Sequence, residues 1–155
     1  MTLYARPSEP LDAYVLAPEL RQADKDEVAA HGGTSGLFAL KRGYSRSKIA
    51  KTICVERTDE VVAMYGVVCI DPVLPSGGAW LLGSDQLTRH GMTFARHCVR
   101  YIETLQDQFP VLFNYVDARN TLHIRWLKWS GFNFIQRHEQ FGYEQRPFYE
   151  FVRAR

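Results

Sequence analysis

The clearest periodic pattern of apolar and polar residues in the chain lies between Asn120 and Gly131. At 3.6 residues per turn, one face of a helix here carries an apolar stripe formed by Leu122, Trp126 and Trp129. Asn120 is a preferred N-cap residue, because its side-chain oxygen accepts a backbone N–H of the first turn. Gly131 stands where a left-handed stop needs no Cβ. The pattern predicts an amphipathic helix whose two tryptophans pack in the core.

The rest of the chain alternates between short apolar runs and longer amphipathic runs. The apolar runs predict strands at residues 13–17, 52–56, 61–70, 79–82, 111–116, 133–136 and 148–152. Further helices are predicted at about 24–33, where Asp24 and Glu27 have capping-box spacing, and at 36–51 and 92–108. The order β-α-α-β-β-β-α-β-α-β-β predicts a mixed α/β fold, with about six to seven strands in a central sheet and about four helices.

The two runs at residues 79–82 and 111–116 are short, apolar on both faces, and each followed by a helix. Strands of this kind are buried on both faces and run parallel. We therefore expect them to be the central, parallel and partly splayed pair of the sheet.

Length and composition limit the class of protein. The 155 residues fit one domain spanning residues 1–155, and 46% apolar with 13% aromatic residues exclude a disordered chain. A net charge of +2 does not predict a nucleic-acid partner. No apolar run reaches the length of a membrane span, and the N-terminus lacks the apolar region of a secretion signal. Cys54, Cys69 and Cys98 are predicted to be buried thiols in a reducing compartment, with no disulfide and no metal site.

The helix after Asn120 also carries a recognisable spacing, formed by Asn120, His123, Ile124, Trp126, Leu127, Gly131 and Phe132. It resembles motif B of the GCN5-related N-acetyltransferases (the GNAT fold), and the order of elements is similar across nearly the whole chain. In that family the position seven residues after the Asn usually carries a Tyr hydroxyl that protonates the thiolate leaving from coenzyme A. Leu127 occupies that position here and can neither donate nor accept a proton. The resemblance implies a GNAT fold that lacks its usual acid.

The resemblance also implies a site for acetyl-coenzyme A between the splayed strands, with contacts from Leu82 and Asn120. In the family the pyrophosphate rests on backbone N–H groups at the start of the long central helix, where the partial charge is positive. The matching turn consists of Thr88, Arg89, His90, Gly91, Met92 and Thr93. Thr88 stands where the family has Arg or Gln, and Thr93 replaces the closing Gly or Ala. Either Arg89 and His90 attract an anion to this turn, or Thr88 simply caps the helix and Gly91 has no ligand role.

An acetyltransferase needs a base that takes the proton from the substrate amine. The family often places a Glu on the strand before the phosphate turn, but residues 79–82 include no acid. The candidates are Asp85, just beyond that strand, Asp117, at the end of the next strand, and His123, near the helix start, where its pKa should fall. Asp117 is equally explained as a turn residue and His123 as a structural histidine.

Two segments are candidates for contacts with other macromolecules. The first is basic and consists of Lys41, Arg42, Arg46, Lys48 and Lys51. It either faces solvent on one helix beside nearby acids or binds an acidic partner. The second, at residues 141–151, is aromatic and consists of Phe141, Tyr143, Phe148, Tyr149 and Phe151. Period-two alternation places Tyr149 and Phe151 opposite Phe148, so we expect an exposed interface pair unless the aromatics cover the sheet's inner face.

A more particular resemblance covers roughly residues 61–134. The run Ala79-Trp-Leu-Leu-Gly83 and the step from Asn114 through Asp117 to Asn120 are similar to the GNAT-like proteins of short-tailed bacteriophages, which are grouped with internal virion proteins. This implies a phage protein with a degenerate acetyltransferase site that contacts another phage or host protein, in the virion or the host cytoplasm. The rival prediction is an active acetyl-CoA-dependent N-acetyltransferase acting on a host protein or a small amine. A third is an anion- or nucleotide-binding module at the turn of residues 88–93.

Overall fold

The computed structural model describes residues 2–155 and contains a seven-stranded sheet with helices on both faces. The strands are β1 (Leu3–Pro7), β2 (Ser47–Val55), β3 (Val61–Asp71), β4 (Ser76–Gly83), β5 (Val111–Asp117), β6 (Asn133–Phe141) and β7 (Arg146–Ala154). The α-helices are α1 (Pro10–Leu16), α2 (Gln22–Gly32), α3 (Gly36–Arg46), α4 (Gln86–Arg89), α5 (Gly91–Gln106) and α6 (Thr121–Trp129), with a 3₁₀ turn at Ala17–Glu19. The predicted mixed α/β class is confirmed, and the short helices α1 and α4 are additional. No helix within residues 2–155 has the length and apolar character of a membrane span.

The strand order β1-β2-β3-β4-β5-β7-β6 places β4 and β5 at the centre of the sheet. They are parallel neighbours, and their register joins Ser76–Gly78 to Val111–Phe113 and then stops. Beyond that point the side-chain amide of Asn114 donates to the carbonyl oxygen of Ala79 at 2.8 Å. The predicted central, parallel and splayed pair is confirmed. From Ala79 onwards the β5-facing edge of β4 has no strand partner, and we call the opening between the two strands the gap.

Consecutive residues of β3 pack on opposite faces of the sheet, as alternation requires. Tyr65 belongs to the larger core, which lies beneath α5 and α6 and includes Phe94 and Trp126. Met64 belongs to a second core beneath α1 and α3, together with Leu40. The gap therefore lies between two layers of helices, with α2 on one side and α6 on the other.

Residues 13–17, predicted to be a strand, instead complete α1 and begin the 3₁₀ turn. Helix α1 begins after Glu9, which forms a capping box with Asp12, and Pro10 occupies the first turn. The run from Ala13 is apolar and short, and such a run does not distinguish a strand from a buried helical segment. The first strand is β1, which pairs antiparallel with β2.

The predicted helix at residues 36–51 ends at Arg46, and its last five residues form the start of β2. Ala50 pairs there with Gly66 of β3, and this pairing overrides the local helical pattern. The basic segment is therefore not a single helix face. Lys48 and Lys51 lie on β2 rather than on α3.

The helix predicted after Asn120 is present as α6, and Gly131 adopts the expected left-handed conformation with φ of 90°. Trp126 is buried, which confirms the prediction for this member of the stripe, and Leu127 beside it is buried as well. Trp129 is 67% exposed, so the prediction that it packs in the core is wrong. It lies at the last turn, where its indole N–H donates to the backbone oxygen of Ala95 at 3.2 Å at the surface.

The β6–β7 hairpin reaches across to α2. At its tip the backbone N–H groups of Tyr143 and Glu144 donate to the carbonyl oxygens of His31 and Ala30, both at 3.0 Å. Gly142 has φ of 75°, and a Cβ there would lie 2.7 Å from the Ala30 oxygen, so only glycine fits this approach. The hairpin tip thus holds the C-terminal turn of α2 against the sheet.

The aromatic residues of this hairpin mostly cover the sheet. Phe148 and Phe151 are both buried, on opposite faces, and Tyr149 is half-buried against the larger core. The expectation that Tyr149 and Phe151 form an exposed pair is wrong, because α6 covers their face as well. Tyr143, at the tip, is the member of the set that is exposed.

The three cysteines divide between core and surface. Cys54 and Cys98 are buried as predicted, whereas Cys69 is exposed and that prediction is wrong. Cys69 lies near the end of β3, where the strand's last residues are largely exposed. Among residues 2–155 all three thiols are free.

Candidate functional site

A network of polar side chains fills the end of the gap, where β4 and β5 finish. Its members are Arg21, Asp24 and Glu27 of the α2 region, Asp117 at the end of β5, and Asn120 and His123 at the start of α6. Asp24 and Asn120 are 2% and 1% exposed. Buried polar groups of this kind need partners, because an unpaired one costs free energy. The hydrogen bonds of the network therefore offset the cost of burying these polar groups.

Asp24 lies at the centre of this network. Its Oδ2 accepts the backbone N–H of Gly83 at 2.9 Å, and its Oδ1 accepts Nη1 of Arg21 at 3.2 Å and Nδ2 of Asn120 at 3.0 Å. The backbone N–H of Arg21 donates in turn to the carbonyl oxygen of Gly83 at 2.8 Å. Both polar backbone groups of Gly83 are thus bonded to the N-terminal turn of α2.

These groups of Gly83 belong to the gap edge of β4. The N–H of Ser84 donates to Val62 of β3 at 2.9 Å, so the groups of Gly83, one residue earlier, point the other way, towards β5. By the same alternation the backbone N–H and C=O groups of Leu81 face the gap, and those of Leu82 face β3. The side chain of Leu82 packs in the second core beside Met64.

Asn120 precedes α6 as predicted, but its side chain makes no capping bond. Its Oδ1 accepts Nη2 of Arg21 at 3.2 Å, and its Nδ2 donates to Asp24 and, at 3.4 Å, to Glu27. The predicted capping role is therefore wrong, because the side-chain amide of Asn120 bonds the buried charged groups of Arg21 and Asp24 instead. Asn120 instead links α6 to α2 through the gap.

Glu27 has an unusual carboxyl group. Its Oε1 accepts the backbone N–H of Asp117 at 2.9 Å. Burial, together with the negative charge of Asp24, raises the pKa of Glu27 to about 8. The same cause acts with opposite sign on His123, because burial lowers the pKa of that imidazole. At neutral pH the site therefore holds a neutral histidine beside a carboxyl group that is mostly protonated.

Three of these residues have the geometry of metal ligands. One ligand atom each from Asp24, Glu27 and His123 lies within 4.8 Å of the other two, a separation that a divalent cation bridges. However, the guanidinium of Arg21 and the amide of Asn120 already bond the Asp24 carboxylate. A fixed positive charge thus stands beside the position that a cation needs, and this donor set does not favour a resident metal.

The structure brings together some of the predicted catalytic residues. Asp117 is buried, but its carboxylate is bonded to Arg119, with 2.7 Å between Nη2 and Oδ2. His123 lies in the network beside Asp24 and Glu27. Asp85 is exposed at the start of α4, and no bond between residues 2–155 joins its side chain to the network. The catalytic roles of all three stay predictions.

The turn predicted to bind a pyrophosphate forms a depression at the surface. Its walls are Thr88, Arg89, His90, Gly91, Met92 and Thr93. His90 interrupts the helix, and α5 begins at Gly91, so the first N–H groups of a 16-residue helix open on this depression. A Cβ at Gly91 would meet no atom within 4 Å, so there is room beside the backbone. With the exposed Arg89 nearby, these residues fit an anionic group such as a pyrophosphate.

Leu127, at the position of the family's acid, is buried in the larger core. Phe94 and Trp126, which belong to the same core, pack edge to face with ring centroids 4.7 Å apart and so join α5 to α6. Tyr65 and Cys98 belong to this core as well, and burial raises the pKa of both groups. The position at which the family carries its Tyr is thus packed into a largely apolar core.

The charged residues of α2 were missed by the sequence reasoning, which took Asp24 and Glu27 for a capping box. Their partners lie far along the chain, and the bond from Asn120 to Asp24 spans 96 residues. One local signal was available. Arg21, Asp24 and Glu27 recur every third residue on one helix face, and that face is otherwise flanked by Ala23 and Ala30.

Comparison with known proteins shows the family of this chain. The family model for bacteriophage T7, probable scaffold protein Gp13, matches residues 52–139, more than half of the chain. The chain belongs to this family. The Gp13 match runs from β2 into β6 and includes the gap strands, the turn at residues 88–93 and α6, whereas α2 lies outside it. No curated protein matches the sequence.

Solved structures show which fold this Gp13-family chain has. A GNAT-family acetyltransferase from Streptococcus pneumoniae superposes with a TM-score of 0.68 at 15% identity over 99% of each chain. Ribosomal-protein-alanine N-acetyltransferase from Brucella melitensis gives 0.73 at 16% identity, over 98% of this chain and 99% of that one. Ard1 from Thermoplasma volcanium gives 0.74 at 14% identity, over 99% and 98%. At such identities the similarity shows the fold alone, and the predicted GNAT fold is confirmed.

Proposed function

We propose that this chain is a phage protein whose single GNAT-like domain acts by contact with another phage or host protein, in the virion or the infected cell, and that acetyl transfer is slow or lost. The observation that carries the proposal is the closed end of the gap. Both backbone groups of Gly83 are bonded to α2, and the Arg21–Asp24 pair is buried behind them. The membership of this chain in the Gp13 family of probable scaffold proteins supports a role in the phage particle or in its assembly.

The closed gap opposes catalysis for a physical reason. Transfer requires a thioester and an amine to approach to about 3–3.5 Å in a fixed orientation. Here the place at the strand ends is filled by a buried ion pair, and leaving one member of such a pair buried without the other costs about 3–5 kcal/mol. The missing hydroxyl at Leu127 removes a further contribution, since a positioned acid typically contributes about 10²–10⁴-fold.

Binding of the coenzyme is distinct from transfer of its acetyl group. We propose that acetyl-coenzyme A, if used, is held by the first turn of α5 and by Arg89, with Leu81 facing the chain that enters the gap. When bound, the coenzyme supplies an activated acyl thioester. This depression does not depend on α2, so binding can persist where transfer is lost.

Incubation with acetyl-coenzyme A and a broad set of amines and N-terminal peptides tests the proposal. Release of free thiol is measured over hours, and we expect no turnover above a blank without protein. In parallel, tagged protein is supplied during infection and its copies per purified particle are counted. Turnover near the typical enzyme rate of about 10 s⁻¹ would contradict the loss of activity.

Glu27 favours a second candidate, an active N-acetyltransferase. A base is most effective when its pKa lies near the working pH, and burial raises the pKa of Glu27 to about 8. In this reading the carboxylate takes the proton from the amine, whose nitrogen attacks the thioester carbonyl while the thiolate leaves. Glu27→Gln would then abolish transfer, whereas Asp107→Asn, at an exposed carboxylate remote from the site, would not. Transfer that depends on Glu27 in this way would replace the first proposal with the second.

A further inference from the structure

Strand β6 forms one outer edge of the sheet, and this edge is open. It is the last strand in the order and pairs with β7 alone. Within residues 2–155 its other side bonds to no strand or loop backbone, so a row of N–H and C=O groups faces outwards. The opposite edge of the sheet, β1, has five residues and ends at Pro7, which has no N–H to donate. An added strand therefore has its longer template on β6.

The sequence of β6 is complementary to itself. Residues 135–141 read Ile-Gln-Arg-His-Glu-Gln-Phe, a pattern of residue types that is symmetric about His138, with opposite charges on its two sides. When two copies pair antiparallel about a two-fold axis at His138, Arg137 of each lies opposite Glu139 of the other. At the next two positions Gln lies opposite Gln, and Ile opposite Phe. A contact between identical surfaces needs such self-complementarity, because each residue meets its counterpart twice.

The structure places the two charges on the same face of the strand. Nε of Arg137 lies 2.6 Å from Oε1 of Glu139, and their side chains are 43% and 69% exposed. Nη1 of Arg137 also donates to the Tyr149 hydroxyl at 2.8 Å, which holds the guanidinium on this face. Two copies paired about His138 bring these charges into a group of four that alternate in sign. Opposite charges that face each other across neighbouring strands stabilise the pairing.

The same charges disfavour other registers. An axis at Arg137 would set two arginines opposite each other, and an axis at Glu139 would set two glutamates opposite each other. Like charges in such positions are destabilising. Register shifts on either side of residues 136–138 mark bulges in β6, and bulges interrupt a ladder, so the contact between two copies stays short. The edge thus favours one weak, closed pairing over continued growth of the sheet.

An exposed apolar side chain adds to this contact. Ile135 is 56% exposed, and pairing about His138 places it opposite Phe141 of the second copy, where its removal from water is favourable. We propose that β6 pairs antiparallel with β6 of a second copy of this chain about a two-fold axis at His138, which joins two seven-stranded sheets into one. The pairing does not depend on the coenzyme site or on acetyl transfer, because β7 lies between β6 and the gap strands.

Sedimentation velocity across a dilution series tests the proposal, and the unmodified protein is expected to pass from monomer to dimer as its concentration rises. Glu139→Arg and Arg137→Glu each place like charges opposite each other. Since the axis repeats each contact, two attractive pairs become repulsive, and the dissociation constant should rise at least about tenfold. An equimolar mixture of the two variants restores Arg opposite Glu, so it should form a heterodimer more readily than either variant forms a homodimer. Glu103→Arg makes the same chemical change at an exposed residue of α5 and should dimerise as the unmodified protein does.

Disulfide formation tests the register. Residues directly opposite each other in an antiparallel pair have Cα atoms about 4.5–5.5 Å apart, a separation that a disulfide bridges. The background is Cys69→Ser, because that thiol is exposed. In this background His138→Cys should cross-link to its own copy on mild oxidation. Gln136→Cys should not, since the axis places its copy beyond the reach of a disulfide.

Thermal unfolding shows whether each variant is folded, and the cysteine variants carry the test if a charge variant is not. A monomer at every concentration overturns the proposal, as do single charge variants that dimerise like the unmodified protein. A mixture without heterodimer, or cross-linking of Gln136→Cys as fast as that of His138→Cys, overturns the axis at His138 and with it the proposed pairing.

Discussion

Replacing Asp24 with Ala should be among the most damaging single changes in this protein. The change removes the acceptor for the Gly83 N–H and for Asn120, and it leaves the guanidinium of Arg21 buried without its carboxylate. Breaking a buried pair from one side costs about 3–5 kcal/mol. For a domain of this size each kcal/mol lowers the melting temperature by about 2–4 °C. Asp24→Ala is therefore expected to melt about 6–20 °C below the unmodified protein.

The control is the same substitution in an exposed pair. Asp107 forms an ion pair with Arg155 at 3.0 Å, and both side chains are more than half exposed. Such pairs contribute less than about 1 kcal/mol, so Asp107→Ala should barely change the melting curve. Calorimetry is also run on the double variant that combines Arg21→Met with Asp24→Leu. This variant should be more stable than Asp24→Ala, because apolar residues replace both charges. If Asp24→Ala costs no more than Asp107→Ala, the network does not hold the end of the gap closed.

Two further predictions concern pH and the tryptophans. The pKa of Glu27 is about 8 in the folded protein against 4.5 for an ordinary Glu, so between these values the folded state holds a proton that the unfolded state has lost. Its contribution to stability therefore falls as pH rises through that window, by at most about 1.4 kcal/mol per pH unit, and urea unfolding of Glu27→Gln at pH 5 and pH 8 should lack this fall. Trp126→Ala should cost about 3–5 kcal/mol and Trp129→Ala less than about 1 kcal/mol, because the first is buried and the second exposed; similar costs in urea unfolding would refute the assignment.

Much of the fold was predictable because strong local patterns agreed with one another. The splayed strands each combined a short apolar run with a following helix, and α6 combined period 3.6 with Gly131 at its end. The failures occur where local pattern is ambiguous. The run at residues 13–17 fits a strand or a helix, and the capping signal at Glu9 and Pro10 decided for α1. Trp129 continues the apolar stripe of α6, but the core packs only against the earlier part of that stripe, so Trp129 lies at the surface.

The candidate site was less predictable because its residues meet only in three dimensions. Asp117, Asn120 and His123 were found because they follow a strand and begin a helix, where functional groups collect. Their partners Asp24 and Glu27 lie on the far side of the sheet and satisfied a local explanation as helix caps. A residue that fits a helix-capping role can still bond to residues far along the chain. The sequence does not reveal that these carboxyl groups are turned towards the gap, and this is why their distant partners were missed.

The hairpin tip that holds α2 has a consequence for synthesis on the ribosome. The last carbonyl groups of helix α2 are bonded by Tyr143 and Glu144, which are synthesised on the order of a hundred residues after that helix. Since chains are synthesised at about 5–20 residues per second, α2 waits for several seconds before this contact can form. Until then the carbonyl groups of Ala30 and His31 lack these two donors. The contact between the hairpin tip and α2 can thus form only after β6 has been synthesised, so the support of α2 by the hairpin is a late event in the making of this fold.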